Sequence, residues 1–191
     1  QNVKNDKVLR LTMLFHDMGK PVMKTTDENG RDHFKGHAIA SEQIAKTVMK
    51  RLKFDNDTIR KVTKLVAYHD YRMEPTGANV RRAMHEIGVE LFPYYLAVRL
   101  ADTKAQSSYE RRGKLENIIQ IRELYRNALR NKECVTLKDL AVTGTDLINL
   151  GIAPGKELGT LLNELLDMVI EDPAWNQKGK LCDYVKERFG F

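Results

Sequence analysis

Apolar residues recur with helical spacing along most of this chain. Residues three and four positions apart lie on one face of an α-helix, so such spacing predicts a helix with one buried face. The predicted faces are Leu9, Met13 and His16; Ile39, Ile44, Val48 and Leu52, with Ala40, Ala45 and Met49 beside them; Ile59, Val62, Val66 and His69; Leu91, Tyr95, Val98 and Asp102; Leu115, Ile118, Ile119, Tyr125 and Leu129; and Leu158, Leu161, Leu162, Leu165 and Val169. The pattern predicts an all-α protein built as a helical bundle.

Residues 22–35 interrupt the helical pattern. Two short stretches, 22–26 and 31–34, flank the sequence Asp-Glu-Asn-Gly. Asn29-Gly30 is typical of tight hairpin turns because both residues tolerate positive φ angles. We therefore expect a small β-hairpin inserted between helices.

Short polar residues predict two helix starts. Asn56 or Asp57 is expected to cap a helix that begins near Thr58, and Asn79 is expected to cap the helix that ends at Gly88. Asn and Asp suit these positions because their side chains accept hydrogen bonds from free backbone N–H groups.

The composition indicates a soluble globular protein. Of 191 residues, 42% are hydrophobic and 30% are charged, which excludes a wholly disordered chain. No apolar run approaches the roughly 18 residues of a membrane span. Cys134 and Cys182 form neither a CxxC pair nor a metal-ligand pattern, so a disulfide framework and a zinc knuckle are not expected. A cytoplasmic protein without membrane association is expected.

The charge divides the chain near residues 131–137. Residues 1–135 carry 26 Lys and Arg against 17 Asp and Glu, whereas residues 136–191 carry 6 against 9. We expect a helical domain with a basic arm over 1–135 and a small helical region over 136–191. The basic part favours an anionic partner such as nucleic acid or a phosphate ester.

His and Asp residues stand at the ends of several apolar faces. His16 and Asp17 end the first face, His37 opens the next helix, His69 ends the third, and Asp102 ends a later one. Imidazole nitrogens and carboxylate oxygens together suit a divalent cation. Because helices of one bundle can direct such groups into a shared cavity, we expect a metal site.

Several of these residues have a plainer interpretation as well. His69 taken alone is equally a satisfied polar group at a helix end, and Lys20 is either a phosphate ligand or a solvated lysine. His33 and His85 are interpreted as structural or surface residues.

A stripe of arginines suggests a second kind of site. Side chains spaced by four on one helical face can follow a phosphate backbone. The candidates, including two that precede the stripe, are Arg111, Arg112, Arg122, Arg126 and Arg130. The alternative is a solvated face with local partners such as Glu123.

The order of these motifs resembles an HD domain, specifically the C-terminal part of bacterial tRNA nucleotidyltransferases (CCA-adding enzymes) and related poly(A) polymerases. The resemblance covers nearly the whole chain. It is carried by His16-Asp17, Gly19-Lys20-Pro21, Phe34 to His37, His69-Asp70, Ala101-Asp102, Ala105-Gln106, Asn79 to Arg82, Gly144 to Ile148, Gly151-Ile152, Pro154-Gly155 and Gly159 to Leu166.

The resemblance implies a bundle of HD-domain type with a truncated first helix, and it assigns roles to residues. His16, Asp17 and Asp102 correspond to metal ligands, and His37 and His69 to histidines that bind a second metal or the substrate phosphate. Asp17 and Lys20 are the implied catalytic residues. The implied cofactor is a divalent metal, with Mg²⁺ first and Mn²⁺ or another transition metal as alternatives.

The chain departs from the family pattern at its start. HD domains usually take a first His from an earlier helix, but no His precedes His16. There is no Gly-Ser dipeptide, and Asp55-Asn56-Asp57 is interpreted as capping. Since the chain begins with Gln1, we expect a fragment that lacks the nucleotidyltransferase head.

The resemblance implies the RNA-binding and phosphohydrolase portion of an enzyme that adds CCA or poly(A) to RNA 3′ ends. Its partners would be tRNA or other RNA 3′ ends, with ATP and CTP for the intact enzyme, and a homodimer stays open. Two alternatives are a free-standing HD phosphohydrolase acting on nucleotides and a non-catalytic RNA-binding module.

Overall fold

A computed structural model describes residues 3–190 and is mainly α-helical. In chain order the elements are α1 (Lys7–Phe15), α2 (Lys20–Met23), β1 (Thr25–Thr26), β2 (Asp32–His33), α3 (His37–Arg51), α4 (Asn56–Tyr68), α5 (Gly77–Ile87), α6 (Phe92–Ala105), α7 (Arg111–Arg130), α8 (Gly144–Asn149), α9 (Lys156–Glu171), a 3₁₀ turn (Pro173–Trp175) and α10 (Lys178–Phe189). The predicted all-α fold with a small hairpin and C-terminal helices is confirmed. Among the described helices, none combines the length and the apolar composition that crossing a membrane requires.

The chain divides into two compact units. Unit 1 holds Gln1–Met73 and Ile87–Gln120, and unit 2 holds Glu74–Glu86 and Ile121–Phe191. This division follows contacts in the folded chain. It does not test whether residues 136–191 form a domain of their own, so the boundary near residue 135 stays a prediction.

The core of unit 1 lies between α1, α3 and α4. Phe15 from the end of α1 packs with Met49 of α3 and with Val62 and Val66 of α4. The predicted apolar face of α4 is therefore confirmed. Burial of such a side chain stabilises the folded state by about 1.5–3 kcal/mol before its entropy cost is counted.

The predicted face of α3 is confirmed only in part. Ala45 and Met49, predicted beside the main apolar face, are fully buried together with Ser41, whereas Ile39 and Leu52 are exposed. Val48 packs at the edge of the core, so the period was predicted correctly and the centre of the buried face lies one residue away from the prediction. Small side chains at two of the three positions let α3 approach its neighbours closely.

The hairpin is confirmed but is shorter than predicted. Thr25 pairs with His33 and Thr26 with Asp32, while residues 22 and 23 belong to α2. The connection is a five-residue loop in which Gly30 has a φ of 75° and Asn29 is not in the left-handed region. The carboxylate of Asp27 organises this loop by accepting hydrogen bonds from two backbone N–H groups.

Both predicted caps are displaced. Asp55, rather than Asn56 or Asp57, caps α4: its carboxylate accepts hydrogen bonds from the N–H of Thr58 at 2.8 Å and from the Thr58 hydroxyl at 2.7 Å. These bonds, above all that from the backbone N–H, lower the pKa of Asp55 to about 2. At α5 the capping oxygen belongs to Thr76, which accepts from the N–H of Asn79.

The core of unit 2 is built on α9, and its predicted apolar face is confirmed. Leu161, Leu165 and Val169 are buried in one cluster with Leu181 and Val185 of α10. Cys134 and Cys182 are both free thiols, as expected. Burial raises the pKa of the Cys134 thiol to about 11, so this group stays neutral at physiological pH.

Arg81 fixes the C-terminal end of α9 within unit 2. Its guanidinium donates to the carbonyl oxygens of Ile170 at 2.7 Å and Glu171 at 3.0 Å, and to the carboxylate of Glu133 at 2.8 Å. The side chain is only 9% exposed. One buried cation thus satisfies two carbonyl groups at a helix end that otherwise have no intrahelical donor.

Replacing Arg81 should therefore weaken the folded state strongly. We expect Arg81→Leu to lower the free energy of unfolding by about 3 kcal/mol, because it leaves a half-buried carboxylate and two carbonyls without their donor. The neighbouring Arg82, whose pair with Glu171 is exposed, is the matched control, and Arg82→Leu should cost less than about 1 kcal/mol. Urea unfolding curves measure both, and equal losses would contradict the assignment.

Candidate metal centre

Asp17 lies in the short turn that follows α1. This helix ends at Phe15, and His16 forms its C-cap with a backbone N–H that donates to the carbonyl of Thr12. The turn ends at Gly19, where α2 begins. The helix end thereby presents two adjacent ionisable side chains beside the buried core.

Gly19 brings this turn against the start of α3. A Cβ atom at Gly19 would lie 2.4 Å from the carbonyl oxygen of His37 and 2.6 Å from the backbone nitrogen of Ser41. The N–H of Gly19 donates instead to the buried Ser41 hydroxyl at 2.8 Å. Asp17 and His37 are neighbours because residue 19 has no side chain.

Three histidines are held in the same manner by backbone carbonyls. The Nδ1 atoms of His16, His37 and His69 lie 2.9, 2.9 and 2.7 Å from the carbonyl oxygen three residues earlier. A carbonyl can only accept, so each Nδ1 carries the proton. In the neutral ring Nε2 then has a free lone pair, which is the arrangement that metal-binding histidines use.

The Nε2 atoms of His37 and His69 converge on Asp17. They lie 3.1 Å from one another, and each is 3.5 Å from the Oδ1 atom of Asp17. These three ligand atoms form a group compact enough to share one metal ion. Burial lowers the pKa of His69 and so favours its neutral ring. The hydrogen bond to the Val66 carbonyl acts in the opposite direction but is the smaller effect.

His16 links Asp17 to Asp102 of α6. Its Nε2 atom lies 3.3 Å from one oxygen of Asp17 and 3.8 Å from an oxygen of Asp102. Burial disfavours protonation of His16, but the interaction with Asp102 and the charge of Asp17 outweigh it and raise its pKa. The same interaction with His16 lowers the pKa of Asp102 in spite of partial burial. The second oxygen of Asp102 accepts from Gln106 Nε2 at 2.8 Å.

Lys20 faces the same centre from the first turn of α2. Its Nζ atom lies 2.7 Å from the Oδ2 atom of Asp17 and 5.9 Å from the centre of the Phe34 ring. An open cavity of about 660 Å³ adjoins these groups. Its lining includes five of the six side chains expected at the site, Asp17, Lys20, His37, His69 and Asp102, together with Phe34, Tyr71, Arg72 and Gln106.

Comparisons with known proteins identify the family of this chain. Residues 37–185 match the family described as tRNA nucleotidyltransferase domain 2. The chain belongs to the tRNA nucleotidyltransferase family. The matched range includes His37, His69 and Asp102 and begins after His16 and Asp17.

A member of this family with a curated name is similar over most of the chain. The CC-adding tRNA nucleotidyltransferase of Thermus thermophilus is 30% identical over 168 residues. The similarity covers 85% of this chain and 36% of that protein, so the chain spans about a third of the length of this relative. No solved structure matches the chain.

The five arginines expected to bind RNA lie outside the candidate metal centre. Arg112 and Arg126 pair with Glu116 and Glu123, as the solvated alternative anticipated. The remaining contacts are those of Arg130 with the side chain of Asn127 and of Arg111 with the carbonyl of Gln106. All five residues lie on α7.

Sequence reasoning assigned no role to two residues that organise the centre. Ser41 receives the N–H of Gly19, and Gln106 holds Asp102. A single buried serine carries no signal in a sequence, whereas Gln106, four residues after Asp102 on one helical face, could have been found from its spacing.

The exposed His33 pairs with Asp27 in the hairpin, and His85 donates to the carbonyl of Val135, so neither belongs to the centre.

Adding one methyl group at Gly19 should disrupt the centre. We expect Gly19→Ala to lower the free energy of unfolding by about 1–3 kcal/mol, because its Cβ would overlap backbone atoms of α3. Gly159 in α9 is the control, since a Cβ there meets nothing within 4 Å. Gly159→Ala should be neutral or stabilising by up to about 1 kcal/mol. Thermal or urea unfolding would refute the argument if Gly19→Ala were as stable as the wild type.

Proposed function

We propose that this chain is the HD phosphohydrolase and RNA-binding portion of a tRNA nucleotidyltransferase. The observation that carries the phosphohydrolase part is the convergence of two imidazole Nε2 atoms and a carboxylate oxygen. In neutral rings whose Nδ1 atoms donate to carbonyl oxygens, the two Nε2 lone pairs would face each other at 3.1 Å and repel unless a cation lies near both. A divalent metal ion at this position would remove that repulsion.

The donor set fits such an ion. Asp17, His37 and His69 would hold it directly, and His16 with Asp102 would complete the centre or hold a second ion. Mixed nitrogen and oxygen ligands suit Mg²⁺ less than Mn²⁺ or a later transition metal. When bound, the ion supplies a Lewis acid and a more acidic water. We keep Mg²⁺, Mn²⁺ and other transition metals as the candidates.

The remaining groups would hold the substrate. A cation on Asp17 would share the carboxylate that now pairs with Lys20, which leaves the Lys20 ammonium available for a phosphate oxygen. A positive charge placed there stabilises the charge that develops as a phosphoryl group is attacked. The proposed reactions are hydrolysis of a phosphomonoester and of a 2′,3′-cyclic phosphodiester.

The RNA-binding part rests on the arginines of α7 and on the family. Three of them, Arg122, Arg126 and Arg130, recur every four residues within unit 2. Arg126 pairs with Glu123 and Arg130 with the side chain of Asn127 on the surface, and such exposed pairs are weak enough for a phosphate to displace. We infer that this stripe contacts the phosphate backbone of tRNA or of another RNA 3′ end.

The intact enzyme would extend RNA 3′ ends with CCA or poly(A), using ATP and CTP with a divalent metal. The name of the Thermus thermophilus relative, a CC-adding tRNA nucleotidyltransferase, supports this class of reaction. A free-standing HD phosphohydrolase is less well supported, because the family match continues through unit 2 to residue 185. The compact cluster of ligands disfavours a purely non-catalytic module.

The metal proposal predicts binding that depends on Asp17. The wild-type chain should bind Mn²⁺, measured by calorimetry or by electron paramagnetic resonance, and Asp17→Asn should weaken binding by tenfold or more, because it removes the only carboxylate of the three-ligand group. Metal-dependent hydrolysis of 2′,3′-cyclic AMP should fall in parallel.

The hairpin offers a matched control for that experiment. Asp27 also lies 2.9 Å from a histidine, His33, but this pair is exposed and has no third ligand beside it among the described residues. Asp27→Asn should leave Mn²⁺ affinity and hydrolysis unchanged. Equal effects of the two substitutions, or wild-type behaviour of Asp17→Asn, would refute the metal centre.

The RNA proposal predicts a change in the salt dependence of binding. Arg126→Glu should weaken tRNA binding and reduce the slope of log K against log salt by about 1, as expected for the loss of one phosphate contact. Arg82→Glu is the control, since Arg82 is likewise exposed and paired with a glutamate. Fluorescence anisotropy at several salt concentrations measures both variants. An unchanged slope for Arg126→Glu would count against the stripe.

A further inference from the structure

A second cavity, of about 440 Å³, adjoins the metal centre within unit 1. Three cations line it, Arg72 from the loop after α4, Arg99 from α6 and Lys114 from α7, while Glu110 is the one carboxylate in the lining. Asn117 also lines this cavity. The excess of positive charge in a concave site favours an anionic ligand.

Arg99 is the buried base of this cavity. The residue is 9% exposed, and its Nη1 atom lies 3.5 Å from the carbonyl oxygen of His69 and 3.9 Å from a carboxylate oxygen of Asp70. Both distances exceed the roughly 2.7–2.9 Å of a charge-assisted hydrogen bond. The Arg99 guanidinium also hydrogen-bonds the Tyr95 side chain, but that partner is neutral, so an anionic ligand in the cavity would supply a closer counter-charge than Asp70 does.

The two cavities are connected through shared residues. Arg72 lines both of them. Lys114 Nζ, in the second cavity, donates to the Oε1 atom of Gln106 at 3.2 Å, and Gln106 in turn lines the first cavity and holds Asp102. A ligand with two linked anionic groups could therefore occupy both cavities at once.

We propose that the second cavity binds the phosphodiester next to the terminal phosphate of an RNA 3′ end. This inference rests on the proposed phosphohydrolase function and specifies its substrate: a polynucleotide end rather than a mononucleotide. A nucleic acid fits because it repeats the phosphate that the metal centre would bind. The ring of Phe34, in the lining of the first cavity, offers a surface on which a base can stack.

Binding of two probes in the presence of Mn²⁺ tests the proposal. Adenosine 3′-monophosphate carries the terminal phosphate alone, and the dinucleotide ApAp adds one phosphodiester. Calorimetry with the full chain should show ApAp bound about tenfold more tightly or better, which corresponds to about 1.4 kcal/mol. Its salt slope should be steeper by about 0.7, the value for one further single-strand phosphate.

Substitution of Lys114 separates the second cavity from the metal centre. Arg99 is buried and its loss can disturb folding, so the diagnostic variant is the partly exposed Lys114→Gln. It should reduce the preference for ApAp over adenosine 3′-monophosphate to about threefold or less. Lys46→Gln, an exposed lysine on α3, should keep the full preference.

The outcomes distinguish this inference from the function on which it rests. Equal affinity of the wild type for both probes, or an unaltered preference in Lys114→Gln, would overturn the second cavity while leaving the metal centre intact. If the Lys114-dependent ApAp preference is seen but Asp17→Asn binds both probes as the wild type does, the phosphate cavity is supported and the metal-centre proposal fails.

Discussion

The close approach of Gly19 to the first turn of α3 is the constraint on which the candidate site depends. A backbone nitrogen and a carbonyl oxygen occupy the space that any side chain at residue 19 would need. The buried hydroxyl of Ser41 receives the Gly19 N–H, so the contact leaves no unsatisfied donor. This contact holds the turn that carries Asp17 against the helix that begins with His37.

The electrostatics of the centre follow from that geometry and from three repeated hydrogen bonds. Each histidine gives its Nδ1 proton to a carbonyl three residues earlier, at or near a helix terminus. The helix ends thus fix the tautomers as well as the positions of the rings. The carboxylates of Asp17 and Asp102 and the Nε2 lone pairs of neutral histidine rings make the centre electron-rich, and a cation complements it, as the Lys20 ammonium does at Asp17. The second cavity has the opposite character: Arg99 and Lys114 give it an excess of positive charge, which favours an anion.

The two proposed phosphate sites share Arg72, so one strand of nucleic acid could extend from one cavity into the other. In the proposal, a metal ion in the first cavity would attract a terminal phosphate, and the cations of the second cavity would attract the phosphate that follows. The arginines of α7 in unit 2 carry a separate proposal for the body of the RNA. Each proposal stands on its own residues, because Lys114 and Arg126 belong to different compact units.

The helical class and several buried faces could be predicted from the spacing of apolar residues. The faces of α4 and α9 were predicted correctly because their apolar side chains are large and regularly spaced. The same spacing identified the ionisable residues at the ends of the apolar faces of α1, α4 and α6, namely His16, Asp17, His69 and Asp102. A residue that must be buried and is polar stands out in a pattern of apolar neighbours.

Which side chains meet, and where the buried face of α3 is centred, depends on the packing of helices against one another. The buried face of α3 is centred on Ser41, Ala45 and Met49 instead of on Ile39 and Leu52, because a small polar residue such as Ser41 is buried only beside a specific neighbour. The cap of α4 moved to Asp55 because adjacent Asp and Asn residues have nearly equal local preferences. Distances such as the 3.1 Å between His37 and His69 arise from residues 32 positions apart. Spacing along the chain constrains positions within one helix, and the convergence of several helices is set by how their surfaces pack.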